Sequence, residues 1–332
     1  MSGNQYKISV IIPIYNSEKY IEECAISLFD QDMEGIEYIF INDCSTDGGL
    51  LKLKGLIQHQ YLYLKDNIRI ISLSRNTGIA NVRNIGLANA KSDYVAFCDS
   101  DDWIEPNMYS SLYDCAINNK SDVVACDFYN EYSNWKTIHN QCYDSNREAN
   151  LVKLLTGELF PSLWCELVKK EIYLNHNIYF LPDLNMGEDL IVNIKIFSSI
   201  RKFSYVNLPM YHYRHSDTSS CVIRSLISVN SEILIAKHIE DYLRQKGLYD
   251  MYKLEINYRK FISKSPLWSM KEYRNINLWK NTYKETNKYI LSYKWMDWKM
   301  KMEFWLVANH MSFLAVSFVH LLKMQSFLKQ FR

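Results

Sequence analysis

Four short apolar runs, each too brief for a helix of its own and each stopping at polar residues, limit most strongly how this chain can fold. They are Lys7 to Ile14, Tyr38 to Ile41, Ile68 to Leu73 and Tyr94 to Cys98, all rich in β-branched or aromatic residues. Helical patterns fill the gaps between them. Ser17 can cap a helix that carries Ile21, Ala25, Leu28 and Phe29 on one face, with Glu18, Glu22 and Glu23 near its positive end. Further helices are expected from Leu50 toward Tyr63 and from Ala80 to Ala90. Strand and helix in alternation predict a mostly parallel, doubly wound α/β sheet. Ligands of such sheets bind outside the carboxyl ends of the strands, so the loops after Ile14, Ile41, Leu73 and Cys98 share the functional edge.

The fourth run ends in three acids, Asp99, Asp101 and Asp102. On extended backbone Asp99 and Asp101 leave on the same side, so two hard oxygen ligands can converge on one divalent cation. The same residues also read as a solvated turn and a helix N-cap before Trp103. No G-x-G-x-x-G and no P-loop follows the first run, which removes the phosphate cradle of a dinucleotide-binding or P-loop protein.

Composition narrows the partners. A chain of 332 residues with 48% hydrophobic content can bury a full core, as one large domain or two unequal parts. Its formal net charge of +1 leaves no global field to attract nucleic acid. The eight cysteines, at 24, 44, 98, 115, 126, 142, 165 and 221, form no C-x-x-C pair and read as reduced thiols of a cytoplasmic protein. No signal-peptide pattern precedes the first strand, so export is not expected. The aromatic share of 14% fits sugar stacking or a membrane interface, and equally fits core packing.

Residues 9–16, Ser-Val-Ile-Ile-Pro-Ile-Tyr-Asn, residues 42–48, Asn-Asp-Cys-Ser-Thr-Asp-Gly, Asn76-x-Gly78 with Arg83-Asn84-x-Gly86, and Asp99-Ser100-Asp101-Asp102 follow one another in a specific order and spacing. In this the chain resembles the family 2 glycosyltransferases of GT-A fold. The resemblance continues through Leu163 to Lys170, Met186-Gly187-Glu188-Asp189, and Tyr211-His212-Tyr213-Arg214 with Ser216 to Ser220, and fails beyond about residue 221. It implies a GT-A catalytic domain over 1–221 with a Rossmann-like sheet, and a helical C-terminal region over 222–332. The implied reaction is metal-dependent, inverting sugar transfer to a glycan or lipid-linked acceptor, in bacterial surface polysaccharide synthesis at the cytoplasmic face of the membrane.

The resemblance also assigns roles. Asp101 with Asp99 would hold Mn²⁺ or Mg²⁺ against the diphosphate, with His212 completing the metal shell or touching phosphate. Pro13, Tyr15 and Asp43 would bind the nucleotide base, and Asp43, able to accept from a uracil N–H, points to a UDP-sugar. Asn16, Asn76, Gly78 and Ser100 would line the nucleotide-sugar site, and Arg214 would meet diphosphate charge. Arg83 would reach the diphosphate or orient Asp99, and equally fits a structural salt bridge. Asp189 is the expected general base, with Glu188 its neighbour and alternate. Adjacent acids on a helix face different ways, so only one should point into the site. The pair also reads as helix N-terminal acids. Trp164 could form an apolar floor for an acceptor sugar, or be core. His215 stands beside the same motif.

Departures from the family pattern are Asn42 in place of Asp, Cys44 in place of Gly, and Cys165-Glu166 in place of Asn-Lys, the last reversing charge near the expected acceptor side. A sugar nucleotidyltransferase would want a Gly-rich basic loop after the first strand, which Pro13-Ile14-Tyr15-Asn16 does not supply. A noncatalytic sugar-nucleotide binding module remains the other alternative.

The C-terminal region is expected to be helical, with Val229 to Leu243 periodic and Gly247 ending that helix. Phe304 to Leu322 is long enough to span a bilayer, yet Glu303, His310 and Ser317, extended by His320 and Lys323, draw a polar stripe along it. From residue 291 onward six basic residues stand against two acidic. This predicts a helix lying flat in an anionic membrane interface, with Phe304, Leu306, Phe313, Leu314 and Phe318 among the lipid tails, or else one packed on the catalytic domain.

Overall fold

The computed structural model describes residues 6–182, 184, 187–215 and 226–329. The chain divides into two compact units, residues 1–154 with 159–223 and residues 155–158 with 224–332. Met186, Ser216 to Ser220 and Cys221 of the motifs above lie outside the described residues.

In the first unit nine strands form one mixed sheet: β1 (Ile8–Ile14), β2 (Ile36–Asn42), β3 (Ile68–Ser72), β4 (Tyr94–Phe97), β5 (Trp103–Ile104), β6 (Val123–Glu131), β7 (Lys136–His139), β8 (Glu166–Lys169) and β9 (Phe203–Arg214). Their order is β3-β2-β1-β4-β8-β6-β9-β5, with β7 paired to β6. β1 to β4 are parallel, as the four apolar runs predict. β1 and β2 are buried at every position, which is why they read as unbroken apolar runs. The helices are α1 (Ile21–Phe29), α2 (Gly49–His59), α3 (Ile79–Asn89), α4 (Met108–Asn119), α5 (Arg147–Thr156), α6 (Lys170–Asn175) and α7 (Glu188–Phe197).

β8 is antiparallel to both β4 and β6, and β9 is parallel to β6. Two reversals restore direction, so β4, β6 and β9 point the same way as β1 and β2, and all five deliver their carboxyl ends to one edge. The core beneath is aliphatic and aromatic, with Ile12, Leu28, Phe40, Leu112 and Tyr211 fully buried. α3 approaches β1 at Gly86, where a Cβ would collide with the Ile11 side chain.

Two local expectations change. Ser17 does not cap α1 with its hydroxyl; its carbonyl instead accepts from the Tyr20 and Ile21 amides at 2.9 and 3.0 Å, a turn that delays the helix to Ile21. Extended backbone stops at Phe97, and Asp99 to Asp102 form a turn closed by the Asp102 amide on the Asp99 carbonyl at 3.1 Å. Convergence of Asp99 and Asp101 therefore cannot come from strand alternation.

The second unit is helical: α8 (Leu226–Gln245), α9 (Lys253–Lys264), α10 (Pro266–Ser269), α11 (Ile276–Asn281), α12 (Trp298–Ala308) and α13 (Ser312–Lys329). Gly247, at φ +70°, ends α8 as expected, with the Leu248 amide on the Leu243 carbonyl. The core is aromatic, built on Phe261, Trp268, Trp279, Tyr293 and Phe304.

The tail departs from the single striped helix. It breaks at His310, whose φ of +64° and whose flanking Met311 amide on the Leu306 carbonyl make the same kind of helix end without a glycine. Glu303 turns to the Trp268 indole N–H at 2.7 Å, so it does not share a wet face with Ser317. Phe304 is buried in the core and cannot enter lipid. Phe313 and Leu314 are exposed. Among the described residues no helix is long and apolar enough to cross a membrane.

Lys264 is fully buried in the aromatic core, its ammonium 4.5 Å above the Trp279 ring and donating to the Thr282 carbonyl at 2.8 Å and Asn287 Oδ1 at 2.6 Å. Burial pushes its pKa from 10.5 down to about 7, against the pull of Glu285 and with help from Lys260. Between those two values the unfolded chain holds a proton that the folded chain does not, so stability rises with pH across that window and its Lys264 part is flat below it. From pH 7 to 9 the denaturant midpoint of Lys264→Met should therefore rise less, or fall more, than that of the parent chain, the difference being the Lys264 part. An identical slope in the variant would assign the effect elsewhere.

Candidate active site

Three segments meet at one guanidinium. Arg83, on α3, is only 4% exposed; its Nη2 donates to Asp99 Oδ1 at 3.2 Å, and its Nη1 to Glu188 Oε1 at 2.9 Å and to Asp189 Oδ1. Asp99 follows β4, and the two other acids open α7, to which Gly187 turns the chain with a φ of +78°. Acids in the first turn of a helix also sit well at its positive end. The rings of Phe97 and Phe180 lie 5.8 and 5.5 Å from the guanidinium carbon and wall off water. The spacing predicts that only one of Glu188 and Asp189 points inward, but both reach Arg83. Arg83 joins two of its expected readings, since it is an ion pair and it orients Asp99.

Charge in this cluster does not balance. Burial works against the Arg83 charge, but Asp189, Asp99 and Glu188 outweigh it and hold the guanidinium pKa above its ordinary value. Among the described residues one cation faces three carboxylates, and Asp189 carries the largest effect. Burial raises its carboxyl well above the usual range, Arg83 opposes this, and Glu188 and Asp99 add to it. Asp189 is also the more open of the α7 pair, at 21% against 9% for Glu188.

The acidic turn is held from behind. Asp102 is buried; its Oδ2 accepts from the Tyr211 hydroxyl at 2.7 Å and its Oδ1 from the Arg214 amide at 2.8 Å. The Asp99 amide donates to the same Tyr211 oxygen at 3.1 Å. Arg214 Nε donates to the Asp101 carbonyl at 2.8 Å and its Nη2 reaches Glu23, while the guanidinium lies 4.4 Å from the Trp103 ring. Arg214 thus braces the turn. Asp101 itself is exposed at the rim, and burial of its surroundings, with the charge of Asp99, pushes its carboxyl up to about 6. Ser100 is buried within the turn. Among the described residues no three side chains form a ready-made metal cage. The donor set nevertheless fits a hard cation: Asp99 and Asp101 are oxygen ligands in an anionic cluster with too few cations.

The other loops of this edge are tied together. Asp43 accepts from the Thr77 amide at 2.7 Å, the Thr77 hydroxyl at 2.9 Å and the Gly78 amide at 2.9 Å. Most of its acceptor capacity is thus spent on the turn at Gly78, which has φ +83°. Asn16 Oδ1 accepts from the Thr46 amide at 2.8 Å and so binds the β1 loop to the β2 loop. Pro13 is buried inside β1, whereas Tyr15 and Asn76 are exposed at the edge. Cys44, where the family has Gly, has a left-handed φ of +59°.

His212 does not turn to a cation. Its Nδ1 lies 2.7 Å from Glu131 and its Nε2 3.0 Å from Glu105, so both ring nitrogens are taken. The ring is stacked between Trp103 and Tyr129. Trp164 is core and not an open floor: it is buried, with its ring stacked 4.2 Å from Tyr211 and 5.3 Å from Tyr213. Glu166 is fully buried against the Tyr143 hydroxyl at 3.0 Å, so its charge change does not face an acceptor. Burial pushes its carboxyl up to about 8, opposed by Tyr143 and aided by Asp189. Sequence reasoning missed the Tyr211 bridge; only its place in the Tyr211-His212-Tyr213-Arg214 motif hinted at it.

Comparison with known proteins gives the family and the fold type. The family model described as glycosyl transferase family 2 matches residues 9–176, just over half of the chain. EpsJ of Bacillus subtilis, named an uncharacterized glycosyltransferase, is 30% identical over 64% of this chain and 62% of its own length. TarS of Staphylococcus aureus, named a poly(ribitol-phosphate) beta-N-acetylglucosaminyltransferase, is 30% identical over 62% of this chain and 35% of its own. The match thus spans less than two thirds of either relative. The crystal structure of TarS residues 1–349 superposes with a TM-score of 0.67 at 19% identity, covering 96% of this chain and 92% of that one. Its counterpart in complex with UDP-GlcNAc gives 0.65. The sheet is therefore of GT-A type, and the chain belongs to glycosyl transferase family 2.

Proposed function

We propose that this chain is a metal-dependent, inverting glycosyltransferase that moves a sugar from a UDP-sugar to a hydroxyl of a glycan or lipid-linked acceptor in bacterial surface polysaccharide synthesis. The observation that carries this reading is the meeting of Asp99, Glu188 and Asp189 on Arg83 at the carboxyl edge of the sheet. It favours catalysis over a noncatalytic binding module, because the acid pair that opens α7 stands beside the acidic turn through their shared Arg83 and is not displaced from it. The name of EpsJ supports the reaction class, and the name of TarS with its UDP-GlcNAc complex supports the substrate class.

Inverting transfer is one displacement: the acceptor oxygen loses its proton and attacks the anomeric carbon while the bond to the diphosphate breaks. Asp189 takes the proton. Its raised proton affinity suits a base, and Arg83 keeps its ionised form accessible. Glu188, more buried, balances Arg83. Asp99 and Asp101 would hold Mn²⁺ or Mg²⁺, with phosphate and water completing the shell. Such an ion would supply charge neutralisation to the departing diphosphate. Tyr15, Asn16, Asp43, Asn76 and Gly78 line the nucleotide end, Asp43 chiefly by shaping the turn that receives it.

Peripheral membrane contact belongs to the same proposal. Trp298, Met300 and Met302 of α12 and Phe313, Leu314 and Leu321 of α13 are exposed, and Lys294, Lys299 and Lys301 lie among the first of these. Each basic residue near an anionic surface is worth about 1 kcal/mol, weakened by salt.

Calorimetry should find that UDP binds only with Mn²⁺ or Mg²⁺ and that Asp101→Ala abolishes this; equal affinity in the presence of a chelator would remove the metal from the proposal. Asp189→Asn should keep UDP binding but lose transfer by about 10²- to 10⁴-fold, the range for a general base. Normal transfer by Asp189→Asn together with loss in Glu188→Gln would exchange the two acids. On anionic liposomes at low salt the full chain should co-sediment, and Phe313→Asp with Leu321→Asp should release it; a chain that never sediments has no membrane face.

A further inference from the structure

The aromatic column that buries Trp164 does not stop in the core. Tyr213 stacks on Trp164 at 5.3 Å and 5°, and His215 meets Tyr213 edge-on at 4.8 Å. Tyr132 stacks on His215 at 4.4 Å and 7°, and Trp135 stacks on Tyr132 at 3.9 Å and 14°. The last ring is 58% exposed. On its far side no further ring pairs with it among the described residues.

The column is built rigidly. Tyr132 to Trp135 is the tip of the β6–β7 hairpin, closed by the Tyr132 amide on the Trp135 carbonyl at 2.9 Å. His215 is fixed by its amide on the Glu131 carbonyl and its Nε2 at 2.8 Å from Asn130 Oδ1. A large indole held flat at the surface has already lost the freedom that a ligand would otherwise have to remove. Ser133, Asn134 and Lys136 beside it are exposed and polar.

This surface suits one class of ligand. It is one indole face with a hydrogen-bonding rim, far short of the roughly 800 Å² per partner of a protein interface. A pyranose matches it, with an apolar C–H face to lie on the ring and hydroxyls to meet the rim. Position adds the rest. β6 and β9 end on the same edge as β4, and His215 directly follows Arg214, which bonds the Asp101 carbonyl and Asp102.

We propose that the outer face of Trp135 is an acceptor subsite that stacks a sugar ring of the growing glycan, beyond the unit that carries the reacting hydroxyl. This rests on the glycosyltransferase reading of the cleft. It moves the acceptor platform from Trp164 to the exposed end of the same column.

The test uses the full chain with chitotetraose, cellotetraose and laminaritetraose as probes, followed by saturation-transfer NMR. At least one tetrasaccharide should bind, Trp135→Ala should weaken it about tenfold, which is roughly 1.4 kcal/mol, and Trp135→Phe should restore most of it. UDP affinity with Mn²⁺ should be the same in all three proteins. If no tetrasaccharide binds, or Trp135→Ala binds as the parent does, the subsite is overturned. If saccharide binding depends on Trp135 while UDP fails to bind the parent chain, the donor reading falls and the platform stands.

Discussion

One buried guanidinium holds the first unit's functional edge together. Arg83 bonds acids that follow β4 and open α7, so the relative placement of those elements depends on a charge removed from water. Losing one partner of such a buried pair costs about 3–5 kcal/mol, a large part of the 5–15 kcal/mol by which a typical domain is stable. The same arrangement leaves more negative charge than Arg83 can neutralise. Burial first, and the neighbouring acids after it, raise the proton affinity of Asp189 and Asp101. Structure and chemistry here share one imbalance.

Around that centre the protein uses polar side chains as braces. Tyr211 links Asp102 to the Asp99 amide, Arg214 clasps the acidic turn from the end of β9, and Asp43 gathers the Thr77–Gly78 turn. None of these residues needs to touch a substrate to matter. Each fixes a loop whose backbone would otherwise lose its aim.

The parallel strands were legible because buried strands write themselves as unbroken apolar runs, and the acids at Asp99 and Asp189 stood out in motifs of fixed spacing. Side-chain destinations were less so. His212 and Trp164 sit in suggestive motifs, yet their partners, Glu105 and Glu131 for one and Tyr211 and Tyr213 for the other, lie on elements distant in sequence. Pairing of β9 with β5 and β6 decides the His212 contacts, and the turn that leads into β8 sets Trp164 against β9; the antiparallel insertion of β8 leaves no local trace. The tail misled for a different reason. Hydrophobic periodicity continues across Asn309 and His310, and a helix end at a non-glycine left-handed residue has no composition signal.

Distance along the chain also governs when the edge can exist during folding. Glu188 is 105 residues from Arg83, while Asp99 is only 16 away. The parallel strands can pair and bury their apolar faces from the first hundred residues alone. The acids of α7 lie beyond β8 in the chain and can join only over a loop that long. Contacts so distant in sequence form slowly, because loop closure must be met before they stabilise anything. During synthesis Arg83 thus waits beside Asp99 with its second and third partners still untranslated, and the reactive geometry is a late product of a sheet already formed.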